Sequence, residues 1–222
     1  PAPRSDPTAE RDAPDGPAAP DGPAAPDGPA APDGSDAPDG SDAPDGPVDY
    51  RSWSPEGVHP RDILDRAETD PGARAEVIEM ARAICDVEAP LTRHRLIVKI
   101  CRAFGLSRTA ASREERIRKV LGGSFAYIDE HDFVWRTYDA SLLPVSYRRG
   151  ALDHVDSIEE IHPRELVALM TEVRANHPEC SSTELCTKAL ARLSARRRRL
   201  SARGVLTALT AALREVEAGD EA

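Results

Sequence analysis

The chain has 222 residues, a formal net charge of −10 and 4% aromatic residues. So few aromatics exclude a core built on stacked rings and favour an aliphatic, Ala-rich helical one. No apolar run approaches the roughly 18 residues of a membrane span and no signal peptide is visible, so the protein is expected in the cytoplasm with no membrane partner.

The charge is unevenly placed. Residues 1–50 carry Arg4 and Arg11 against Glu10 and eleven Asp (2 − 12 = −10), and residues 51–222 carry 27 basic and 27 acidic groups, which cancel. Local clustering, rather than the total, therefore decides what the folded part attracts. From Ala13 to Val48 the sequence cycles with a period of six: APDGPA three times, APDGSD twice, then APDGPV. Pro-Asp-Gly is turn chemistry, and no unit carries apolar bulk to bury against the next. Residues 1–48 are accordingly read as a disordered, self-repelling acidic linker. Two ligand readings attach to it. The repeat can mimic DNA and lie over a basic groove as an autoinhibitor. Its regular carboxylates also invite a calcium reading, but no ligand set there resembles a calcium loop. The chain opens on Pro1, and a piece of a longer protein is expected, with further machinery upstream.

Residues 49–72 read as a lead-in segment in which Pro55, Pro60 and Pro71 break any long helix and Val58, Ile63 and Leu64 dock on the body. A helix is predicted over 73–87, capped by Asp70, with Val77, Ile78, Ala81, Ile84 and Cys85 as its apolar stripe and Ala89-Pro90 as its end. A second is predicted over 92–104, burying Leu96, Ile97, Ile100, Cys101 and Phe104. Arg95, Lys99 and Arg102 stand at i, i+4 and i+7, which predicts a shared solvent face. Gly105 ends that helix. A third is predicted over 109–121, with Ala110, Ile117, Leu121 and Val120 on one arc, Arg108, Ser112, Arg116 and Lys119 on the opposite arc, and Gly122-Gly123 as its stop.

The period then changes from 3.6 to 2. Phe125-Ala-Tyr127-Ile and Phe133-Val-Trp135-Arg flank Asp129-Glu-His-Asp132, which predicts a β-hairpin with a solvent-exposed acidic tip and no perturbed pKa. Three helices followed by a hairpin is the order of a winged helix over 73–137, with the hairpin as wing. Between Pro90 and Gly123 nine basic residues face two acids, Glu114 and Glu115. A helix with one apolar stripe and one cationic, hydroxyl-bearing stripe suits a DNA groove. The acidic wing tip would repel phosphates, so the third helix is expected to carry the contact.

Residues 138–160 read as an irregular linker. Residues 161–217 read as a C-terminal helical, helix-turn-helix-like region. Its first helix starts at Pro163, with Leu166, Leu169, Met170 and Val173 inward. Its second is opened by the capping box Ser181-x-x-Glu184. A last helix over 201–216 carries Leu206, Leu209, Leu213 and Val216 at a spacing that fits a bundle seam or a homodimer contact. Before it, Arg192, Arg196, Arg197, Arg198, Arg199 and Arg203 fall within twelve residues that hold no acid, a second candidate phosphate patch.

The fold class is thus mainly α: a winged helix, then a small helical bundle, behind a disordered repeat. The candidate nucleic-acid-binding residues are Arg95, Lys99, Arg102, Arg108, Ser112, Arg113, Arg116, Lys119, Arg196, Arg197, Arg198 and Arg199. No phosphate-binding loop is present and no catalytic site, cofactor or metal is assigned. Cys85, Cys101, Cys180 and Cys186 lie at spacings of 16, 79 and 6, which match no common zinc pattern, and buried reduced thiols are expected for Cys85 and Cys101. His177, Cys180 and Cys186 make three conceivable ligands but lack a fourth.

The stretch from Val87-Glu88-Ala-Pro90-Leu-Thr92 through Phe104-Gly105-Leu-Ser-Arg108, with Phe133-Val-Trp135, resembles an uncharacterised winged-helix-like domain. That domain lies near the C-terminus of bacterial superfamily I-type DNA helicases that also carry a Vsr-like endonuclease domain. Ala89 stands where that family has Gly, and Thr92 where it has His. The resemblance covers roughly 73–217. It implies a non-catalytic DNA-binding accessory module whose partners are DNA and the helicase and nuclease parts of one polypeptide. ATP and magnesium would belong to the absent motor. The competing reading is a protein-interaction or dimerisation module with no nucleic-acid contact.

Overall fold

The computed structural model describes residues 46–122, 125–196 and 204–220. The expectation of a disordered repeat falls outside these, apart from its last three residues. Among the described residues the chain forms eight α-helices, two single-turn 3-10 helices and two small sheets.

The lead-in segment supplies β1 (Val48–Asp49) and a short helix α1 (Arg61–Arg66), whose Ile63 and Leu64 are buried as expected. Val58 does not dock: it is 77% exposed. Helix α2 (Pro71–Glu88) starts where Asp70 accepts hydrogen bonds from the N–H groups of Gly72 and Ala73 at 2.8 and 3.2 Å, with Pro71 in the first turn. After the cis Ala89–Pro90 bond comes β2 (Leu91–Thr92). Helix α3 (Arg93–Ala103) follows at once and is capped by Thr92, whose hydroxyl accepts from the Arg95 N–H at 3.3 Å. It ends at Gly105, φ 69°, where the Gly105 N–H bonds Arg102 O and the Leu106 N–H bonds Cys101 O, both at 2.9 Å. This pairing satisfies two of the helix's orphan carbonyls. Helix α4 (Ala111–Leu121) stops at Gly122, φ 55° and ψ −167°, a conformation that excludes a side chain.

The predicted wing is present. Strands β3 (Tyr127–Ile128) and β4 (Phe133–Trp135) pair antiparallel, Tyr127 opposite Trp135 and Ile128 opposite Val134. β2 adds a third strand on the other side of β4, with Leu91 opposite Val134, so the order is β2-β4-β3. A two-residue strand between helices carries no readable alternation, which is why the sequence showed only the hairpin. Helix, strand, two helices and hairpin complete a winged helix. Its core joins Val77, Ile84, Leu96, Ile97, Ile100, Phe104, Ile117 and Val134.

The stretch read as a linker is ordered and partly buried. It forms α5 (Tyr138–Leu142), β5 (Arg148–Arg149, parallel to β1) and the 3-10 turns Ala151–Asp153 and Ile158–Glu160. It contributes Tyr147, Leu152, Val155 and Ile158 to a second core. That core is completed by α6 (Pro163–Asn176), α7 (Ser182–Leu193) and α8 (Val205–Asp220), with α6 packed on both α7 and α8. The capping box forms as expected, Glu184 accepting from the Ser181 N–H at 2.8 Å. Leu209, Leu213 and Val216 of α8 are buried within the chain, as a bundle seam requires, and Leu206 is exposed. Among the described residues no helix is long and apolar enough to cross a membrane.

Candidate nucleic-acid interface

The winged helix sets α4 against α2 and α3 through Ile117, Val120 and Leu121, which are all buried. The arc opposite that stripe faces outward. Arg108, Ser112 and Lys119 are exposed, as is Arg102 at the end of α3. Arg102, Arg108 and Lys119 form no ion pair among the described residues. Arg113 and Arg116 are half-buried and engaged: Arg116 reaches Asp65 at 3.1 Å and Glu68 at 3.7 Å, and Arg113 reaches Asp65 at 3.9 Å. The acids come from α1 and the turn after it, so the lead-in segment neutralises one edge of the α4 face. Arg118 is held by Glu114 at 2.7 Å, and exposed Glu115 interrupts the cationic arc. Arg196 is exposed, and Arg197, Arg198 and Arg199 lie outside the described residues.

Arg95 and Lys99 do not share a solvent face with Arg102. They turn inward onto Glu88, which has no exposed surface. Glu88 meets Lys99 Nζ at 2.5 Å and accepts from Arg95 Nε at 3.1 Å, the Tyr50 hydroxyl at 2.8 Å and the Trp53 N–H at 2.6 Å. Lys99 also donates to Ser52 Oγ and Trp53 O, and Arg95 to Glu160 and His154 O. Residues 50–53 and 154–160 thus cover the very face that helical spacing left open. Burial is the largest influence on Glu88 and opposes its ionisation. Hydrogen bonds from Lys99 and Tyr50 and the charges of Lys99 and Arg95 outweigh it, and its pKa falls below the usual carboxylate value. Burial likewise pushes the Lys99 pKa down, against the pull of Glu88.

The same seam joins the two cores. Arg148 grips Glu165, itself fully buried, with two bonds of 2.8 and 2.6 Å. It also donates to the carbonyls of Glu88 and Pro90 and lies 5.0 Å from the Tyr50 ring centroid. Nothing in the sequence assigned a structural role to Tyr50, Arg148 or Glu165, and Glu88 entered only as part of the motif that carries the resemblance. One further signal was Glu88 continuing the buried stripe of Val77, Ala81, Ile84 and Cys85, an acid where an apolar residue belongs.

The wing tip departs from its expected exposure in the same way. Asp129 turns back and accepts from Trp135 Nε1 at 2.6 Å, His162 Nε2 at 2.9 Å and the N–H groups of His131 and Phe133. Burial raises its pKa, but these donors together hold it below the ordinary Asp value. His162 is buried between Phe133, Trp135 and His131, and its Nδ1 accepts from the Arg164 N–H at 3.1 Å. This assigns the proton of the neutral ring to Nε2, facing Asp129. Burial, opposed by Asp129, leaves its pKa below that of a free histidine. Asp129, His131, Trp135 and His162 line a cleft of about 430 Å³ with Tyr127, Arg164 and Glu215. Both ring nitrogens of His162 are committed, so it fastens the wing to α6 and is not placed for proton transfer. Glu130 and Asp132 remain at the surface, Asp132 paired with Arg93.

The thiols of Cys85, Cys101 and Cys186 are buried and Cys180 is half-buried. Burial raises the Cys85 pKa to about 12, which keeps that thiol protonated and inert.

Residues 69–115 match the model of a protein family described as a protein of unknown function, DUF3320. The match runs from the turn before α2 into the second turn of α4 and contains Glu88, Arg95 and Lys99. No curated protein matches the chain. No solved structure matches it either.

Proposed function

We propose that the winged helix binds double-stranded DNA through the exposed arc of α4, as a non-catalytic accessory module of a larger DNA-processing protein. The observation that carries this reading is α4 presenting Ser112 and Lys119 outward, away from its buried Ile117, Val120 and Leu121, with Arg108 exposed in the turn that leads into it. Arg and Lys on such a face reach phosphates and base edges, and a serine hydroxyl adds a short donor. Arg102 widens the patch. The wing does not join it, because Glu130 and Asp132 would face phosphate with like charge. Arg95 and Lys99 are withdrawn from the candidate contacts, since releasing them would strand Glu88.

The test is fluorescence anisotropy of the full chain with a labelled duplex at low and rising salt. Binding should weaken steeply with salt, and Arg108→Ala with Lys119→Ala should cut affinity and lower the log–log salt slope by roughly 1.8, about 0.9 per lost phosphate contact. An unchanged slope in the double variant ends this reading.

One observation favours docking of a protein instead. Tyr138, Leu142 and Leu143 are 56%, 61% and 51% exposed on one short segment beside the wing. Clustered exposed apolar side chains mark interaction surfaces. Retained duplex binding in Leu142→Ser with Leu143→Ser, together with loss in the α4 double variant, separates the two.

A further inference from the structure

We propose that the turn between α6 and α7 is a transition-metal site, with His177, Glu179 and Cys180 as its ligands and zinc as the ion that suits them. His177 closes α6, Pro178 follows it, and the Cys180 N–H returns to the His177 carbonyl at 3.2 Å. A proline at the second position presets this reversal. The turn gathers an imidazole nitrogen, a carboxylate oxygen and a thiol sulfur, with ligand atoms all within 4.8 Å of one another. Zinc bonds of about 2.0–2.3 Å in a tetrahedron separate ligand atoms by roughly 3.5 Å, somewhat closer than the 4.8 Å within which these atoms already stand.

Among the described residues no other group of three such side chains comes together. The trio imagined from spacing, with Cys186 as third ligand, is corrected: Cys186 is 1% exposed inside the second core, and Glu179 takes its place. A mixed nitrogen, oxygen and sulfur set selects against calcium and magnesium, which take oxygen alone. His177 and Cys180 are half-buried and Glu179 is exposed, so an ion can enter and one tetrahedral position stays open to water or an outside ligand. Bound there, the ion clips the α6–α7 hairpin. The site is remote in sequence from α4, and it stands whether or not the chain binds DNA.

The experiment uses the full chain, reduced and stripped of metal. Zinc is titrated against a chromophoric chelator, and cobalt(II) serves as the spectroscopic substitute. Wild type should take up one zinc per chain and show a cobalt–thiolate absorption band. Cys180→Ser should lose the band. His177→Ala and Glu179→Gln should keep the fold by circular dichroism and weaken zinc binding at least about tenfold. Absence of the band in wild type overturns the proposal, as does zinc affinity unchanged in any one of the three variants.

Discussion

Helices α3 and α4 carry similar cations and use them in opposite ways. On α3, Arg95 and Lys99 are drawn inside to neutralise Glu88. On α4, Lys119 and the neighbouring Arg108 stay in solvent, while Arg116 pairs at the surface with Asp65 and Glu68. Buried charges hold a fold together only as a set, because removing one member leaves another desolvated without a partner. Exposed charges contribute little to stability and are free to meet an outside anion. The difference teaches that a run of basic residues in this sequence is two populations, one structural and one available.

The largest expected effect follows from the structural population. Glu88→Ala strands Lys99 and Arg95 and should cost roughly 3–5 kcal/mol in urea unfolding. Lys119→Ala should stay within about 0.5 kcal/mol. Equal losses in the two variants would break the contrast.

Next in size is a pH effect from the second buried polar site. Above the unfolded histidine value of about 6.5 both states hold a neutral His162 and its contribution is whole. As pH falls from about 6.5 through the lower folded value, the unfolded chain takes up the proton first and stability drops. The slope is at most about 1.4 kcal/mol per pH unit for one proton. Urea midpoints between about pH 7.5 and 5.5 should therefore fall in wild type and flatten in His162→Asn. Parallel curves would show that the ring does not titrate differently on folding.

A smaller effect sharpens the contrast on the nucleic-acid side. Lys119→Met should lower the salt slope of duplex binding by about 0.9, whereas Lys99→Met should leave it unchanged. The smallest concerns the edge where the two populations meet. Asp65→Asn releases Arg113 and leaves Arg116 only its longer contact to Glu68, so duplex binding at low salt should tighten while stability moves by no more than about 0.5 kcal/mol. Weaker binding in this variant would mean that the pairs position the arginines instead of occupying them.

Much of the architecture was legible because its signals are local. Asp70-Pro71, the Ser181–Glu184 box and Gly105 mark helix ends through contacts within a few residues, and the change of period at Phe125 marks the wing. The strand Leu91–Thr92 was not legible, being too short to alternate. The ordered 138–160 stretch was also missed, since single turns that bury Leu152, Val155 and Ile158 have no period to read. The candidate site was half legible. Spacing placed Arg95, Lys99 and Arg102 together on one solvent face of α3, and the structure keeps only Arg102 in solvent.

The sequence by itself determined which residues share a face on the longer helices, roughly where those helices start and stop, and that the chain is mainly α with a hairpin wing. Only the tertiary structure decided what covers each face. Helical periodicity is a property of nearest turns, whereas burial of Glu88, Arg95 and Lys99 depends on Tyr50, Trp53, His154 and Glu160, brought back from up to 65 residues away. An amphipathic pattern compares the two sides of one helix. It carries no information about a distant segment that will lie over the polar side and turn surface cations into the interior of the protein.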